Sequence, residues 1–221
     1  MTTSAQKHAR PCSRISVFQC YVRVMKVALV NLKGGVAKTT SSVYIAAALT
    51  REGTVVLLDG DPQGSASDWT GLVEDSGETL PFTVKVVNQR TMKKAAQGFD
   101  HSVIDTPPGN PQVIDAAIAT ADIVVIPTDA SAMDIQRVWP SIEAATRAGK
   151  PAAVLIVRAR LNTRSLAIAV ETFEKAGAAV IDAHIPLRED IKNAYGTIPT
   201  NLHGYDQVAT DLLEVHSGIA S

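Results

Sequence analysis

Short apolar runs alternate along this chain with longer segments in which apolar residues recur at helical spacing. The short runs predict strands at 26–31, 54–59, 101–105, 122–126, 152–157 and 179–183, and the alternating run at 82–87 predicts a strand nearer an edge of the sheet. The longer segments predict helices at 39–52, 88–98, 111–120, 131–149 and 163–176, with further helices after Arg188 and Tyr205. This alternation predicts the α/β class, with a doubly wound, mostly parallel sheet and helices on both faces.

Prolines mark two places where these elements should change. Pro127 is expected to end the strand at 122–126, and Pro140 is expected to bend the helix at 131–149. In a doubly wound sheet, ligands bind beyond the carboxyl ends of the strands. The chemically distinctive residues of this chain follow predicted strands, so we expect them to share one site.

The composition agrees with one layered domain over residues 25–221. Hydrophobic residues make up 46% and aromatic residues only 5%, so the core consists mainly of small aliphatic side chains, which suit buried parallel strands. The net charge of −1 gives no overall nucleic-acid signature. No apolar run approaches the ~18–20 residues that span a bilayer. Cys12 and Cys20 both precede the predicted domain, which fits a reducing, cytoplasmic compartment.

The first 24 residues form a basic leader with no acidic residue. Its cations are Lys7, Arg10, Arg14 and Arg23. A strand begins directly at Met25, so we interpret the leader as a disordered tail or as the product of a mis-called start. The alternative is a basic arm that contacts DNA or anionic lipid.

A glycine-rich loop between the first strand and the first helix has the composition of a phosphate-binding loop. Its backbone N–H groups and the helix N-terminus would cradle phosphates, while Lys38 reaches the β- and γ-phosphates and Thr39 ligates Mg²⁺. The usual spacing has glycine where Ala37 stands, and alanine fits only if its φ suits a side chain. The loop residues are Lys33, Gly34, Gly35, Val36, Ala37, Lys38, Thr39 and Thr40.

Three carboxylates follow two other strands. Asp59 and Asp61 stand at i and i+2 after the second strand, so both point to the same side, and Asp105 ends an apolar strand. Acids beside a triphosphate require counter-charges, which Mg²⁺ and lysines supply.

These motifs resemble the ParA/MinD superfamily of deviant Walker A ATPases. The loop matches Lys-Gly-Gly-x-Gly-Lys-Thr-Thr except at Ala37, residues 59–63 match Asp-x-Asp-Pro-Gln, and Val103–Asp105 resembles a Walker B strand. The resemblance is strong over residues 25–130 and implies a P-loop NTPase fold that uses ATP and Mg²⁺. It implies catalytic roles for Lys33, Lys38 and Asp61, metal roles for Thr39, Asp59 and Asp105, and a base contact for Arg158.

The resemblance is to short ParA-type partition ATPases, which lack a DNA-reading domain ahead of the loop. It implies an ATP-dependent homodimer in which Lys33 reaches the partner's nucleotide, nonspecific DNA binding on the nucleoid, and a ParB-like activator. This DNA binding would serve to segregate or position a plasmid or chromosome. The DNA-binding candidates are Arg158, Arg160, Arg164, Arg188 and Lys192.

Several other functions stay open or are disfavoured. A non-partition positioning ATPase of the same superfamily is one alternative, and a weakly catalytic adaptor is another because of Ala37. Membrane cycling is disfavoured because residues 205–221 contain no lysine or arginine. A metal-cluster carrier would need cysteines after the loop, and Lys33 with Asp-Pro-Gln argues against a ligase of the dethiobiotin synthetase type.

Overall fold

A computed structural model describes residues 24–219, which build a seven-stranded sheet with helices on both faces. Every strand pair is parallel, so the predicted α/β fold is confirmed. Residues 1–24 lie almost wholly outside the described part, so their interpretation as a leader stays a prediction. The limits of the predicted domain also stay a prediction.

The elements alternate as the sequence pattern predicts. The strands are β1 (Met25–Leu29), β2 (Val55–Asp59), β3 (Thr83–Val86), β4 (His101–Asp105), β5 (Ile123–Thr128), β6 (Ala152–Ile156) and β7 (Ala179–Val180). The helices are α1 (Lys38–Leu49), α2 (Ser65–Asp75), α3 (Met92–Ala95), α4 (Pro111–Thr120), α5 (Ala132–Gln136), α6 (Trp139–Arg147), α7 (Arg164–Lys175), α8 (Glu189–Lys192) and α9 (Tyr205–Ile219).

The strand order places β1 at the centre of the sheet. The order is β3-β2-β4-β1-β5-β6-β7, so the chain winds to one side of β1 through β4 and then to the other side from β5 onward. Val27 lies in register with Val103 on one side and with Ile123 on the other. The change of direction beside β1 creates a crevice at its carboxyl end, where the glycine-rich loop begins.

Alternate residues of the strands supply two separate cores. Met25, Val27 and Leu29 pack under α1, α2 and α9, whereas Ala28 and Val30 pack under helices on the opposite face, including α4 and α7. This division follows from the two-residue period of a strand. Burial on both faces explains why the strands read as continuous apolar runs.

The structure corrects the predicted helices in three places. Helix α2 was not predicted. The helix expected at 88–98 is only the single turn of α3, Met92–Ala95, which follows a turn in which the Asn88 side chain accepts from the backbone N–H groups of Arg90 and Thr91. The long helix at 131–149 is divided into α5 and α6, and Pro140 lies in the first turn of α6, where its missing N–H costs nothing.

The prediction that Pro127 ends a strand is wrong. Strand β5 continues through Pro127, which pairs with Leu155 of β6. On its other side β1 has already ended, and the Asn31 side-chain amide donates to the Pro127 carbonyl at 2.8 Å. The missing N–H of Pro127 therefore breaks no ladder bond with β1.

Helix α9 closes one face of the sheet by packing on α1. The Tyr205 hydroxyl lies 2.9 Å from Ser41 Oγ, and the rings of Tyr205 and Tyr44 have centroids 5.0 Å apart. Of the helices within residues 24–219, none combines the length and the apolar character needed to cross a bilayer.

We expect His101 to make the fold less stable as the pH falls. It is 1% exposed at the start of β4, and burial lowers its pKa although Asp100 and Glu52 raise it; the charge of His216 also lowers it. The unfolded chain would take up a proton near its ordinary pKa of about 6.5, so this stability is present above that pH and is lost below it. Urea unfolding between about pH 7.5 and 5.5 should show the loss.

The variant His101→Gln removes the titrating ring and should flatten this part of the pH profile. An unchanged slope in His101→Gln would show that other groups, such as His184, whose pKa burial also lowers, account for the effect.

Candidate functional site

The loop between β1 and α1 presents the open N-terminus of a 12-residue helix. Within the described chain no side chain caps α1, so its first N–H groups are available to an anion. Gly35 has φ +73 with open space where a Cβ would stand. Ala37 takes the N-cap position with φ 56, a left-handed conformation that costs an L-residue roughly 1–2 kcal/mol. The backbone therefore has the form of a phosphate loop, with strain at its one departure from the expected sequence.

Both predicted loop lysines contact other groups of the chain. Lys38 is 6% exposed and donates to the Lys33 carbonyl at 3.0 Å. Burial lowers the pKa of Lys38, while Asp105 and Asp61 raise it. The Lys33 ammonium forms an ion pair with Asp134 at the start of α5. An ammonium has three N–H donors, so Lys38 can keep its bond to the Lys33 carbonyl while it contacts a phosphate.

The ion pair of Lys33 depends on a short capping motif. Ser131 caps α5, and its hydroxyl also donates to Asp134 at 2.6 Å. Burial by itself would raise the pKa of Asp134, and the hydrogen bonds from Lys33 and Ser131 hold it below its ordinary value. Asp134 is thus a charged acceptor fixed opposite the loop.

Asp105 lies against the first turns of α1. Its two oxygens accept from Thr39 Oγ1 at 2.7 Å and from Ser42 Oγ at 3.0 Å. The side chain is fully buried, and this burial raises its pKa to about 7 despite the two hydroxyls. A hydroxyl and a carboxylate in contact at the phosphate loop form an oxygen donor set that suits Mg²⁺, which would add to the positive charge that Lys38 already places near Asp105.

Asp59 braces helix α2. It stands in register with Asp105 at the end of the neighbouring strand. One oxygen accepts from both the backbone N and the hydroxyl of Ser67, at 2.9 and 2.7 Å, and the other accepts from the Asp61 backbone N at 3.2 Å. The carboxylate therefore fixes both α2 and the loop before it, and its predicted role at the metal stays a prediction.

Asp61 is placed differently from the two buried acids. It is partly exposed, and one oxygen accepts only a local bond from the Gln63 backbone N at 2.9 Å. Its charge acts on Lys38, so it lies near the phosphate loop. A partly solvated carboxylate at this position could orient a water molecule.

Gly60, between Asp59 and Asp61, has no room for a side chain. A Cβ on Gly60 would lie 2.9 Å from the Asp105 carbonyl oxygen, 3.3 Å from Val113 and 3.4 Å from the Met92 methyl group. The Gly60 N–H donates to that same carbonyl at 3.0 Å. The loop that carries Asp61 is therefore pressed onto β4, α4 and α3.

A cavity of about 570 Å³ opens beside the phosphate loop, a size that suits a nucleotide base and ribose. Arg158 lies on its wall with φ 50 and forms a two-pronged ion pair with Asp129, at 2.8 and 2.6 Å. The base contact predicted for Arg158 stays a prediction. The cavity is lined by Gly35, Ala37, Thr40, Val157, Arg158, Ile185, Pro186, Leu187, Arg188, Glu189, Ile191, Lys192 and Tyr205.

The structure divides the arginines and lysine proposed as a DNA surface. Arg158 pairs with Asp129, and the remaining paired members are Arg188 with Asp190 at 3.3 Å and Lys192 with Glu189 at 3.5 Å. Arg160 and Arg164 are exposed and have no ion pair among the described residues. This set is largely neutralised by its own acids.

Two residues of the site were not predicted from the sequence. Asn31 accepts a hydrogen bond from the Lys33 backbone N–H and donates to the Pro127 carbonyl, and Asp134 pairs with Lys33. A polar residue directly after an apolar strand was the available signal for Asn31. The spacing of Ser131 and Asp134 was the signal for the cap.

Comparison with known proteins shows that this chain is similar to nucleotide-binding domains. The family profile described as the CobQ/CobB/MinD/ParA nucleotide binding domain matches residues 27–198. The maintenance of carboxysome distribution protein A of Gloeobacter kilaueensis is 36% identical over 174 residues, 75% of this chain and 77% of that protein. The chromosome-partitioning ATPase Soj of Thermus thermophilus is 30% identical over 173 residues, 64% of this chain and 66% of that protein.

A solved structure shows the same fold at low identity. Cobyrinic acid a,c-diamide synthase from Mycobacterium smegmatis, with bound ATP analog and magnesium, matches with a TM-score of 0.70 and 21% identity, covering 86% of this chain and 95% of that one.

We expect Ala37→Gly to stabilise the protein by roughly 0.5–1 kcal/mol, because glycine removes the left-handed strain at a small entropic cost. Thermal or urea unfolding would measure the change. The matched control is Ala47→Gly inside α1, where glycine should destabilise by at least about 1 kcal/mol, because Ala47 is buried and its methyl packing is lost as well. Destabilisation by Ala37→Gly equal to that of the control would contradict the strain at Ala37.

Proposed function

This chain belongs to the CobQ/CobB/MinD/ParA family of nucleotide-binding domains, and from that membership we propose that it is an ATPase that positions a cellular cargo through an ATP-dependent dimer. The observation that carries the proposal is the meeting of two lysines, Lys33 and Lys38, with Asp61 and Asp105 around one uncapped helix N-terminus. Phosphoryl transfer depends on such positioning and charge stabilisation.

In the proposed complex, the triphosphate lies in the loop of residues 33–40 and the base enters the cavity beside Arg158. Lys38 contacts the β- and γ-phosphates, and Thr39 and Asp105 hold Mg²⁺, with Asp59 supporting them. The metal would neutralise charge on the phosphates. The contact of Thr39 with Asp105 at 2.7 Å supports this assignment, because both oxygens are already together at the loop.

We assign Asp61 to the attacking water. Its oxygens are less engaged than those of Asp59 and Asp105, and it lies near Lys38. The loop that carries it is wedged by Gly60 against β4, which fixes its distance from the phosphates. Hydrolysis would be slow without an activator.

The face that carries Lys33 is proposed to be the dimer interface. Leu32 and Met133, the neighbours of Lys33 and Asp134, are 43% and 66% exposed. Exposed apolar side chains beside a charged pair are what an interface buries. In the dimer Lys33 exchanges Asp134 for the partner's nucleotide.

The cargo is proposed to be either DNA or a large protein assembly. Similarity to the chromosome-partitioning ATPase Soj favours partition of a plasmid or chromosome. The 36% identity to the maintenance of carboxysome distribution protein A favours a non-partition positioning ATPase. In both cases we propose that the dimer binds nonspecific DNA on the nucleoid and responds to a ParB-like activator.

Asp61→Ala should bind ATP as the wild type does and hydrolyse it about 100-fold more slowly, because only the water loses its partner. Lys38→Ala should lose ATP binding as well. Calorimetric ATP binding and phosphate release measure the two effects. Asp68→Ala, an exposed acid on α2, is the control and should resemble the wild type, and hydrolysis by Asp61→Ala at the wild-type rate would refute its assignment.

Lys33→Ala should bind ATP and show a hydrolysis rate about 100-fold lower, because its charge acts on the partner's nucleotide. Sedimentation of Asp61→Ala should reveal a dimer with ATP and a monomer with ADP. Lys26→Ala, which breaks the surface pair with Asp122, is the matched control. A monomer at tens of micromolar protein with saturating ATP would rule out the dimer.

A further inference from the structure

A basic stretch that is free of acids lies around β3 and α3. Residues 79–99 contain no aspartate or glutamate. We call its cations the β3–α3 basic edge: Lys85, Arg90, Lys93 and Lys94.

These cations are not neutralised by the residues around them. Arg90, Lys93 and Lys94 are exposed, and none of the ion pairs within residues 24–219 involves them. Lys85 lies over the Phe99 ring at 4.6 Å from its centroid, a contact that leaves its charge unbalanced. Asp115 of the neighbouring α4 makes no ion pair with them. In the set near the cavity, Arg158, Arg188 and Lys192 each pair with an acid, whereas Arg160 and Arg164 make no ion pair within the described residues.

We propose that the β3–α3 basic edge is the surface that binds the phosphate backbone of duplex DNA. This inference rests on the proposed function and identifies its DNA-binding face. Cations that face solvent without acids are suited to release counterions from a polyanion. Each protomer contributes few contacts, so the ATP dimer, with two edges, binds more tightly than the monomer.

Burial of the apolar side of α3 favours a duplex over a membrane. Met92 is 0% exposed and Ala96 is 1% exposed, so α3 turns its apolar residues into the core and offers polar and charged side chains outward. A membrane-binding helix would present an apolar face. On β3, however, the apolar side chain of Val86 is 75% exposed, as a membrane contact would require. Anionic vesicles are therefore included in the test.

The β3–α3 basic edge also contacts the loop that carries Asp61. The Val87 N–H donates to the Asp59 carbonyl at 2.9 Å, and the Met92 methyl group packs against Gly60. The basic turn at Arg90 is therefore seated beside the loop that carries Asp61. A rearrangement of that loop with nucleotide state would shift the edge and couple DNA affinity to hydrolysis.

The test compares two full-length triple variants that each remove three positive charges. One is Arg90→Gln, Lys93→Gln, Lys94→Gln, and the control is Arg147→Gln, Arg160→Gln, Arg164→Gln. Binding to a fluorescent duplex of arbitrary sequence is measured with a nonhydrolysable ATP analogue from about 50 to 200 mM salt. ATP-dependent dimerisation is measured for each protein as the check on folding.

We expect the edge variant to bind at least about tenfold more weakly than the wild type, with a salt slope reduced by about 0.9 for each phosphate that the variant no longer neutralises. The control should be weakened far less. Equal weakening of both variants, or a larger effect in the control, would overturn the assignment of this face while leaving DNA binding intact. If the wild type dimerises and hydrolyses ATP but does not bind the duplex, DNA binding is not part of its function. The assignment of the edge is then wrong as well.

Vesicles containing phosphatidylserine test whether the β3–α3 basic edge binds an anionic membrane instead of DNA. We expect neither variant to change vesicle binding. If the edge variant loses vesicle binding and keeps duplex affinity, the edge is a membrane-binding surface and the DNA assignment is wrong.

Discussion

Two carboxylates buried side by side at the ends of β2 and β4 hold the site together. Asp59 and Asp105 are in register and fully buried. Asp105 fixes the start of α1 through Thr39 and Ser42, and Asp59 fixes the start of α2 through Ser67. Burial raises the pKa of Asp105 to about 7, and its two hydroxyl donors offset only part of that effect. A cation bound beside Asp105 would favour its charged form.

The same two acids fix the starting points of the two loops that form the candidate site. Because they anchor α1 and α2, the phosphate loop and the loop that carries Asp61 start from fixed points on adjacent strands. Gly60 allows the second loop to lie directly on β4. Ala37 introduces strain at the first, and strain of this kind persists only where surrounding contacts determine the backbone. Here those contacts are the buried helix α1 and the carboxylate network.

Charged groups outside this network fall into two classes. Lys33 and Arg158 are each held by an acid, Asp134 and Asp129, at the carboxyl ends of the strands, so a ligand or a second protomer must compete for them. The cations of the β3–α3 basic edge make no ion pair within residues 24–219. In the proposed function the paired groups are assigned to the nucleotide and the dimer, and the basic edge is assigned to DNA.

Local pattern in the sequence was enough for the fold and for the motifs. The seven strands, the phosphate loop and the three carboxylates follow from apolar periodicity and from residue spacing within a few positions, since these depend on neighbouring residues. The limits of β5 depended on contacts elsewhere, because the end of β1 beside Pro127 allowed the strand to continue.

Tertiary structure alone decided which charges meet. Lys33 and Asp134 are 101 residues apart, and Arg158 and Asp129 are 29 residues apart, so no spacing in the sequence links them. Their pairing follows from the strand order, which brings the carboxyl ends of β1, β5 and β6 to one edge. The sequence determined the kinds of groups in the site, and the packing of the parallel sheet determined their partners, because electrostatic contacts depend on distance in space and not on distance along the chain.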